Sequence, residues 1–322
     1  MQLSPSNAKE FERLVAPLRA ELHAYCYRML GSLQDAEDAL QEALVGAWQG
    51  LAGFEGRSSF RSWLYRIATH ACLRIAEQRP KRVRPEEYSA ASSGIEIAAM
   101  IEGPVFLDPY PDPVDATYEL RESVELAFVS ALQHLPATQR AALILSQVLG
   151  FTAAEVAGLL ETSVAAVSGA LQRARETLER RVPATSQQAT LKSLGADAER
   201  ALVTAFVSAW GRGDVAGIIA LLARDARFSM PPIPNWFHGH DAIARFLAER
   251  VFETEWRLVP LRASGQLAFA CYQGPAFHVG ARLTTAAATA AACVSNANST
   301  WPRTPRAAIA GSAKRPASGC RS

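Results

Sequence analysis

Three groups of side chains in this 322-residue chain have the types and spacing to act on a polyanion or a charged partner. The first is Arg57, Ser58, Ser59, Phe60, Arg61, Trp63, Tyr65 and Arg66, where cations alternate with aromatic rings. Unpaired DNA needs its phosphates neutralised and its unstacked bases given a flat partner, the latter worth about 1–3 kcal/mol per base. Arg79, Lys81, Arg82 and Arg84 prolong the basic track. The second group is Ala165, Ala166, Ser168, Gly169, Gln172, Arg173 and Arg175. Small residues at its start let a helix approach a major groove, and the longer donors behind them can read base edges or hold phosphates. The third is Asp35, Asp38, Gln41 and Glu42, spaced to share a helix face. Such a face either stays solvated or meets a basic partner.

Other chemistry finds little support. The five cysteines (Cys26, Cys72, Cys271, Cys293 and Cys320) are widely spaced and form no CxxC pair, so neither a disulfide framework nor a zinc site is expected. They read as packing residues or exposed thiols. Asp225, His238, His240 and Asp241 are the available acid–base candidates, but no spacing among them specifies a catalytic pair or a third metal ligand. No catalytic residue, metal or cofactor is therefore expected. The net charge of +2 does not by itself announce a nucleic-acid binder, so the placement of charge has to carry that reading. No apolar run approaches the length of a bilayer span, and the N-terminus lacks the order of a signal peptide, which points to a cytoplasmic protein without a membrane partner.

These groups must be positioned by helices. From Phe11 to Arg79 apolar residues recur at helical spacing, giving an all-helical first domain over residues 1–88. Within it, Ala36, Leu40, Ala43, Ala47 and Leu51 oppose the acidic face. Gly56-Arg57-Ser58-Ser59 forms a cap-rich loop leading into a helix from Phe60 to Ile75. On that helix Phe60, Trp63 or Leu64, Ile67 and Ala71 make the expected buried stripe, leaving Arg61, Tyr65, Arg66 and Thr69 outside. Trp63, lying on the stripe, reads as core before it reads as a base platform. Residues 89–117 are rich in Pro, Ser and Gly; Glu102, Asp108, Asp112 and Asp115 face no cation there, as in a solvated linker or one that occupies a basic groove.

Helical spacing resumes over residues 118–184. Thr152 with Glu155 has capping-box spacing, Val156, Leu159 and Leu160 supply a buried side, and Glu161-Thr162 make a turn before Ser163 caps a second helix. In that helix Val164, Val167, Leu171, Ala174 and Leu178 form the inward stripe, so the second group of residues faces outward. A helix-turn-helix that reads DNA explains this arrangement; a plain helical hairpin is the alternative. A mixed α+β unit follows over residues 196–275. Residues 276–322 show no readable core, and no Asp or Glu occurs from Arg257 onward, which fits a disordered tail or a shifted reading frame.

The segments LGSLQDAEDALQEALVGAW and FEGRSSFRSWLYRIATHACL resemble region 2 of extracytoplasmic-function sigma factors. LPATQRAALILSQVLGFTAAEVAGLLETSVAAVSGALQRARETL resembles their region 4. The resemblance implies a mainly α fold, with a region 2 bundle and a region 4 helix-turn-helix. It implies that Asp35, Asp38, Gln41 and Glu42 dock on the clamp helices of the largest subunit of core RNA polymerase, and that region 4 meets the flap of the second subunit. Arg57 to Phe60, Arg61, Trp63, Tyr65 and Arg66 would then melt and recognise the −10 element of promoter DNA, the outer face of the second helix would read the −35 element, and the acidic linker would run toward the RNA exit path. His70, Arg74 and Ser168-Gly169 stand where such proteins often have Asn, Asp and Asn-Ser, so no promoter sequence is carried over. No anti-sigma partner is implied. Residues 201–247 resemble the SnoaL-like fold, a cone of helices on a curved sheet, whose usual ending is missing after Gly274. Against the sigma reading stand a ligand-responsive helix-turn-helix regulator and an enzyme using the SnoaL-like pocket; a loop and basic helix suited to unpaired DNA favour the sigma factor.

Overall fold

The computed structural model describes residues 5–101, 103, 105–112, 125–181, 193–273, 282–287 and 290–295. Its first layer is a bundle of α1 (Pro5–Val15), α2 (Arg19–Leu30), α3 (Leu33–Gly50) and α4 (Phe60–Gln78), with a single turn α5 (Pro85–Tyr88). Ser32 caps α3, its hydroxyl accepting from the Asp35 amide at 3.3 Å, and Ser59 caps α4 by accepting from the Ser62 amide at 3.0 Å. Gly31 ends α2 with φ +69, and a side chain there would collide with Leu107 and Arg82. Only glycine allows both the left-handed turn and that close approach.

The second helical unit comprises α6 (Leu126–Gln133), α7 (Ala137–Leu143) continued by a π-helical turn Ile144–Val148, α8 (Ala153–Leu159) and α9 (Val164–Glu179). It does not stand apart from the first. One continuous apolar core runs from Val15 through Tyr25, Leu64, Tyr65 and Leu107 to Leu145, Val156 and Leu171.

The expected buried stripe of α4 is turned relative to the structure. Ser62, Leu64, Tyr65, Ala68, Thr69, Ala71 and Cys72 face inward, so Tyr65 and Thr69, expected outside, are core residues. Their polar ends are satisfied there: Tyr65 donates to Glu21 at 2.8 Å, and Thr69 donates to the Tyr65 carbonyl and meets the Tyr25 hydroxyl at 2.7 Å. Phe60, Trp63 and Ile67, expected inside, pack only partly against the core.

The linker also differs from a solvated strand of chain. Phe106, Leu107 and Tyr110 are buried; Tyr27 donates to the Asp108 carbonyl at 2.5 Å, and the Asp108 carboxylate accepts from the Leu33 amide at 3.0 Å. Its apolar side chains win over its acidic composition, because each brings a large apolar area out of water. Residues 113–124, which include Asp115, lie outside the described residues, as does Glu102.

The third unit joins α10 (Ala196–Gly211), α11 (Val215–Ala220) and α12 (Gly239–Glu249) to a sheet of β1 (Arg227–Ser229), β2 (Trp236–His238), β3 (Trp256–Ala263), β4 (Gln266–Gln273), β5 (Arg282–Ala287) and β6 (Ala290–Ser295). The strand order is β2-β1-β6-β5-β4-β3, with β1 and β6 parallel and the other neighbours antiparallel. The last two strands correct the expectation of a structureless stretch after residue 275, since the chain supplies β-branched residues there, among them Thr284, Thr285 and Val294. Residues 274–281, 288–289 and 296–322 lie outside the described residues. The cone is filled by aromatic rings: Phe206, Trp210, Phe228, Phe237, Phe246 and Phe269 are all buried. The β3–β4 turn holds the linker, with Tyr110 donating its amide to Ser264 Oγ at 2.8 Å and Asp112 accepting from the Gly265 amide at 2.9 Å. Upstream, Asn235 accepts from the Ala98 amide, and Trp236 donates its indole N–H to the Ser89 carbonyl, both at 2.8 Å.

Candidate nucleic-acid interface

At the start of α8, Thr152 and Glu155 form the expected reciprocal cap: Thr152 Oγ1 accepts from the Glu155 amide at 3.3 Å, and Glu155 accepts from the Thr152 amide at 2.8 Å. Those bonds hold the Glu155 carboxyl below its usual range. Glu161 takes a left-handed φ of 52 in the turn, and Ser163 accepts from the Ala166 amide at 3.1 Å to begin α9. The two helices meet at 101°, within the range of a helix-turn-helix.

On α9 the inward stripe is Val167, Leu171 and Ala174. Val164, expected on that stripe, is the first residue of α9 and is 48% exposed. Ala165, Ala166, Ser168, Gln172, Arg173 and Arg175 are exposed, and Gly169 is half-buried beneath the Arg173 guanidinium. Gln172 donates to Glu176 at 3.3 Å. The helix therefore offers an unobstructed row with small residues at its N-terminal end.

The basic and aromatic side chains around α4 divide into two sets. Arg57 (beside Glu55 at 3.1 Å), Ser58, Ser59 and Arg66 are exposed; the Ser59 hydroxyl is engaged as the cap. Phe60 and Trp63 form a half-buried aromatic cluster with Phe54, the Phe54 and Trp63 ring centroids lying 5.0 Å apart. A cleft of about 660 Å³ lies between this loop and α8, lined by Arg57, Ser59, Trp63, Arg66 and Glu155 among others.

Arg61 and Tyr65 belong to the second set. Arg61 pairs with Glu21 at 2.5 Å, donates to the Leu149 carbonyl at 3.3 Å and lies over the Phe151 ring at 4.5 Å. Tyr65 packs edge-on against Phe151 and Tyr25, and burial, followed by the nearby Glu21 carboxylate, pushes its phenol pKa upward. Both side chains fasten the first helical unit to the second rather than facing solvent. Glu21, Leu149 and Phe151 escaped the sequence reading; the cue was a lone carboxylate near the start of α2 together with an aromatic residue just before a helix cap.

The acidic face of α3 is likewise split. Asp38, Gln41 and Glu42 are exposed, with Glu42 paired to Arg74 and Gln41 bonded to Glu37. Asp35 is buried and paired with the equally buried Arg82, so it is withdrawn from any docking surface. A carboxylate is stable there because a guanidinium arrives from a distant part of the chain.

Among the acid–base candidates of the third unit, His240 Nε2 meets the Leu222 and Ala223 carbonyls at 3.1 and 2.9 Å, as a satisfied structural histidine does, while His238 is exposed. The described residues contain no cluster of three or more potential metal ligands. No single helix among them is long and apolar enough to cross a membrane.

Comparison with known proteins accounts for this organisation. Family models match Sigma-70 region 2 over residues 14–81, Sigma-70 region 4 over residues 125–178 and a SnoaL-like domain over residues 203–295. The ECF RNA polymerase sigma factor SigG of Mycobacterium tuberculosis is 40% identical over 275 residues, 82% of this chain and 73% of the relative. The RNA polymerase sigma-H factor of Pseudomonas aeruginosa is 29% identical over 172 residues, covering 53% of this chain and 86% of the relative. In fold, the crystal structure of the extracytoplasmic function sigma factor SigJ of M. tuberculosis superposes with a TM-score of 0.54 at 21% identity, over 90% of this chain and 96% of that one. A two-part helical reader carried beside a SnoaL-like cone, and a relative this similar over most of both chains, place the protein in the family of extracytoplasmic-function RNA polymerase sigma factors.

Proposed function

We propose that this sigma factor, which binds core RNA polymerase and directs promoter-specific initiation, divides its work among the exposed residues described above. Arg57, Arg66 and the ring of Trp63 receive the −10 element, with Ser58 and Phe60 shaping the loop. Gln172, Arg173 and Arg175 read or hold the −35 element behind the small residues Ala165, Ala166, Ser168 and Gly169. Asp38, Gln41 and Glu42 dock on the clamp helices of the polymerase and region 4 on the flap, in the cytoplasm. Arg61, Tyr65 and Asp35 serve the fold instead.

The observation that carries this reading is the exposure of the α9 row and of Arg66 while the opposite faces of the same helices are buried. Geometry adds a requirement. Elements centred about 25 base pairs apart lie about 85 Å apart at 3.4 Å per pair of B-DNA. The two helical units touch directly through Arg61 and Leu149, so they must separate for both elements to be engaged. Reconstitution with core polymerase on a randomised promoter library tests the assignment. Initiation should be lost with Asp38→Arg through weakened polymerase affinity, whereas Arg66→Ala should bind polymerase normally and form fewer open complexes. Unchanged polymerase affinity for Asp38→Arg would remove α3 from the docking surface.

A further inference from the structure

A second charged feature lies where the two helical units meet, away from the α9 row and the cleft beside Arg66. A cavity of about 350 Å³ is walled on one side by Leu30, Asp35, Arg79, Lys81 and Arg82, and on the other by Gln133, His134, Leu135 and Arg140. Four cations line it against one carboxylate, Asp35.

Two of those cations are built in. Arg82 is 1% exposed; one of its terminal nitrogens meets Asp35, while Nε and Nη1 have no hydrogen-bond partner among the described residues. Arg140 is also buried, and its terminal nitrogens are fixed by the Met29 carbonyl, by Gln133 Oε1 at 2.7 Å and by the Leu135 carbonyl at 3.1 Å, while Nε has no partner among the described residues. Orphaned N–H groups on a buried guanidinium cost free energy unless an acceptor reaches them. At the rim, Lys81 donates to His134 Nδ1 at 2.6 Å, and His134 Nε2 lies 3.1 Å from Glu87 and 3.2 Å from Arg181. Burial lowers the pKa of Lys81 and brings that of Arg140 down to about 10.

We propose that this cavity is a binding site for a small phosphorylated ligand, whose phosphate is held jointly by Arg79, Lys81 and Arg82 of the first helical unit and by His134 and Arg140 of the second. A single carboxylate ligand would leave most of the charge unanswered, whereas a phosphate or diphosphate supplies several acceptor oxygens and more than one negative charge to guanidinium forks. The volume lies at the small end of ligand pockets, sufficient for a diphosphate or a mononucleotide. A duplex is too wide to enter a cavity of this volume, whereas a small phosphate compound is not. Because both units contribute, occupancy favours the packed arrangement over the separated one that promoter binding requires.

Calorimetric titration of the full chain with inorganic phosphate, pyrophosphate and adenosine 5′-diphosphate, at ionic strength matched with sodium chloride, tests the site. Saturable one-to-one binding is expected, about tenfold weaker in Lys81→Gln and in Arg79→Gln, two exposed positions whose replacement spares the core. The surface variant Arg245→Gln removes the same charge from α12 and should bind as the parent does. Equal affinity for pyrophosphate and the nucleotide assigns recognition to the phosphates alone; tighter nucleotide binding adds a base contact. Heat no greater than that of matched chloride, or identical affinity in both cavity variants, overturns the proposal.

Discussion

Replacing Asp35 by alanine separates a structural role from a docking role on one helix. Asp35 is 3% exposed and its partner Arg82 is 1% exposed, so the substitution leaves a guanidinium enclosed without its counter-charge. Breaking a buried pair from one side costs about 3–5 kcal/mol, a large share of the roughly 5–15 kcal/mol that holds a typical domain together. With urea slopes of about 1–3 kcal/mol per molar, the midpoint for the helical units should fall by about 1–5 M. Asp38→Ala, one turn along on the exposed side, should move stability by no more than about 0.5 kcal/mol. The double variant Asp35→Ala/Arg82→Met removes both charges and should recover most of the loss, leaving a positive coupling between the sites. Urea unfolding followed by circular dichroism provides all three numbers. If Asp35→Ala proved no more costly than Asp38→Ala, or if the double variant were as unstable as the single, the pairing of Asp35 with Arg82 would not be what keeps this carboxylate inside.

Three further outcomes follow from the geometry. Arg173→Ala should weaken binding to a −35 element by about 1–3 kcal/mol in a gel-shift titration if it reads a base, and unchanged affinity and selectivity would mean that α9 is presented in a different orientation. Thr152→Ala removes the α8 cap and should cost about 1 kcal/mol in thermal unfolding, with a loss below about 0.3 kcal/mol refuting the reciprocal cap as a stabilising contact. Burial raises the pKa of Asp108, so the folded state binds its proton more tightly than the unfolded chain does. Its contribution is therefore present at pH below its unfolded value and is lost as pH rises through the raised folded value. Asp108→Asn should accordingly be more stable than the parent at neutral pH and lose that advantage in acid, as measured by urea midpoints across pH 3–8; an advantage that grew in acid would reverse the sign.

The helix-turn-helix was legible because its signals are local. Thr152 and Glu155, then Ser163, stand at cap spacing, and Val167, Leu171 and Ala174 repeat at helical spacing; the structure uses each of them as expected. The face of α4 was less legible. Hydropathy sends Tyr65 and Thr69 outward, and the tertiary partners Glu21 and Tyr25, together with the Tyr65 carbonyl, satisfy their hydroxyls inside. Asp35 misled for the same reason: its counter-charge lies 47 residues away at Arg82, beyond any window of periodicity. In the linker, prolines and carboxylates dominate the composition, yet the burial of Phe106, Leu107 and Tyr110 decides its path. Local pattern identified the helices, and long-range pairing decided which of their side chains stay free.

The Arg61 to Leu149 contact spans 88 residues, and the Tyr65 and Phe151 rings meet across a similar stretch. At about 5–20 residues added per second, a ribosome needs about 4–18 s to make the chain between them. During that interval the first helical unit exists without its cover, with the Tyr65 ring and the Arg61 guanidinium open to any partner already present. A newly made chain thus passes through a stage in which α4 is more accessible than in the finished protein. Order of synthesis is itself a variable in when this sigma factor first meets polymerase.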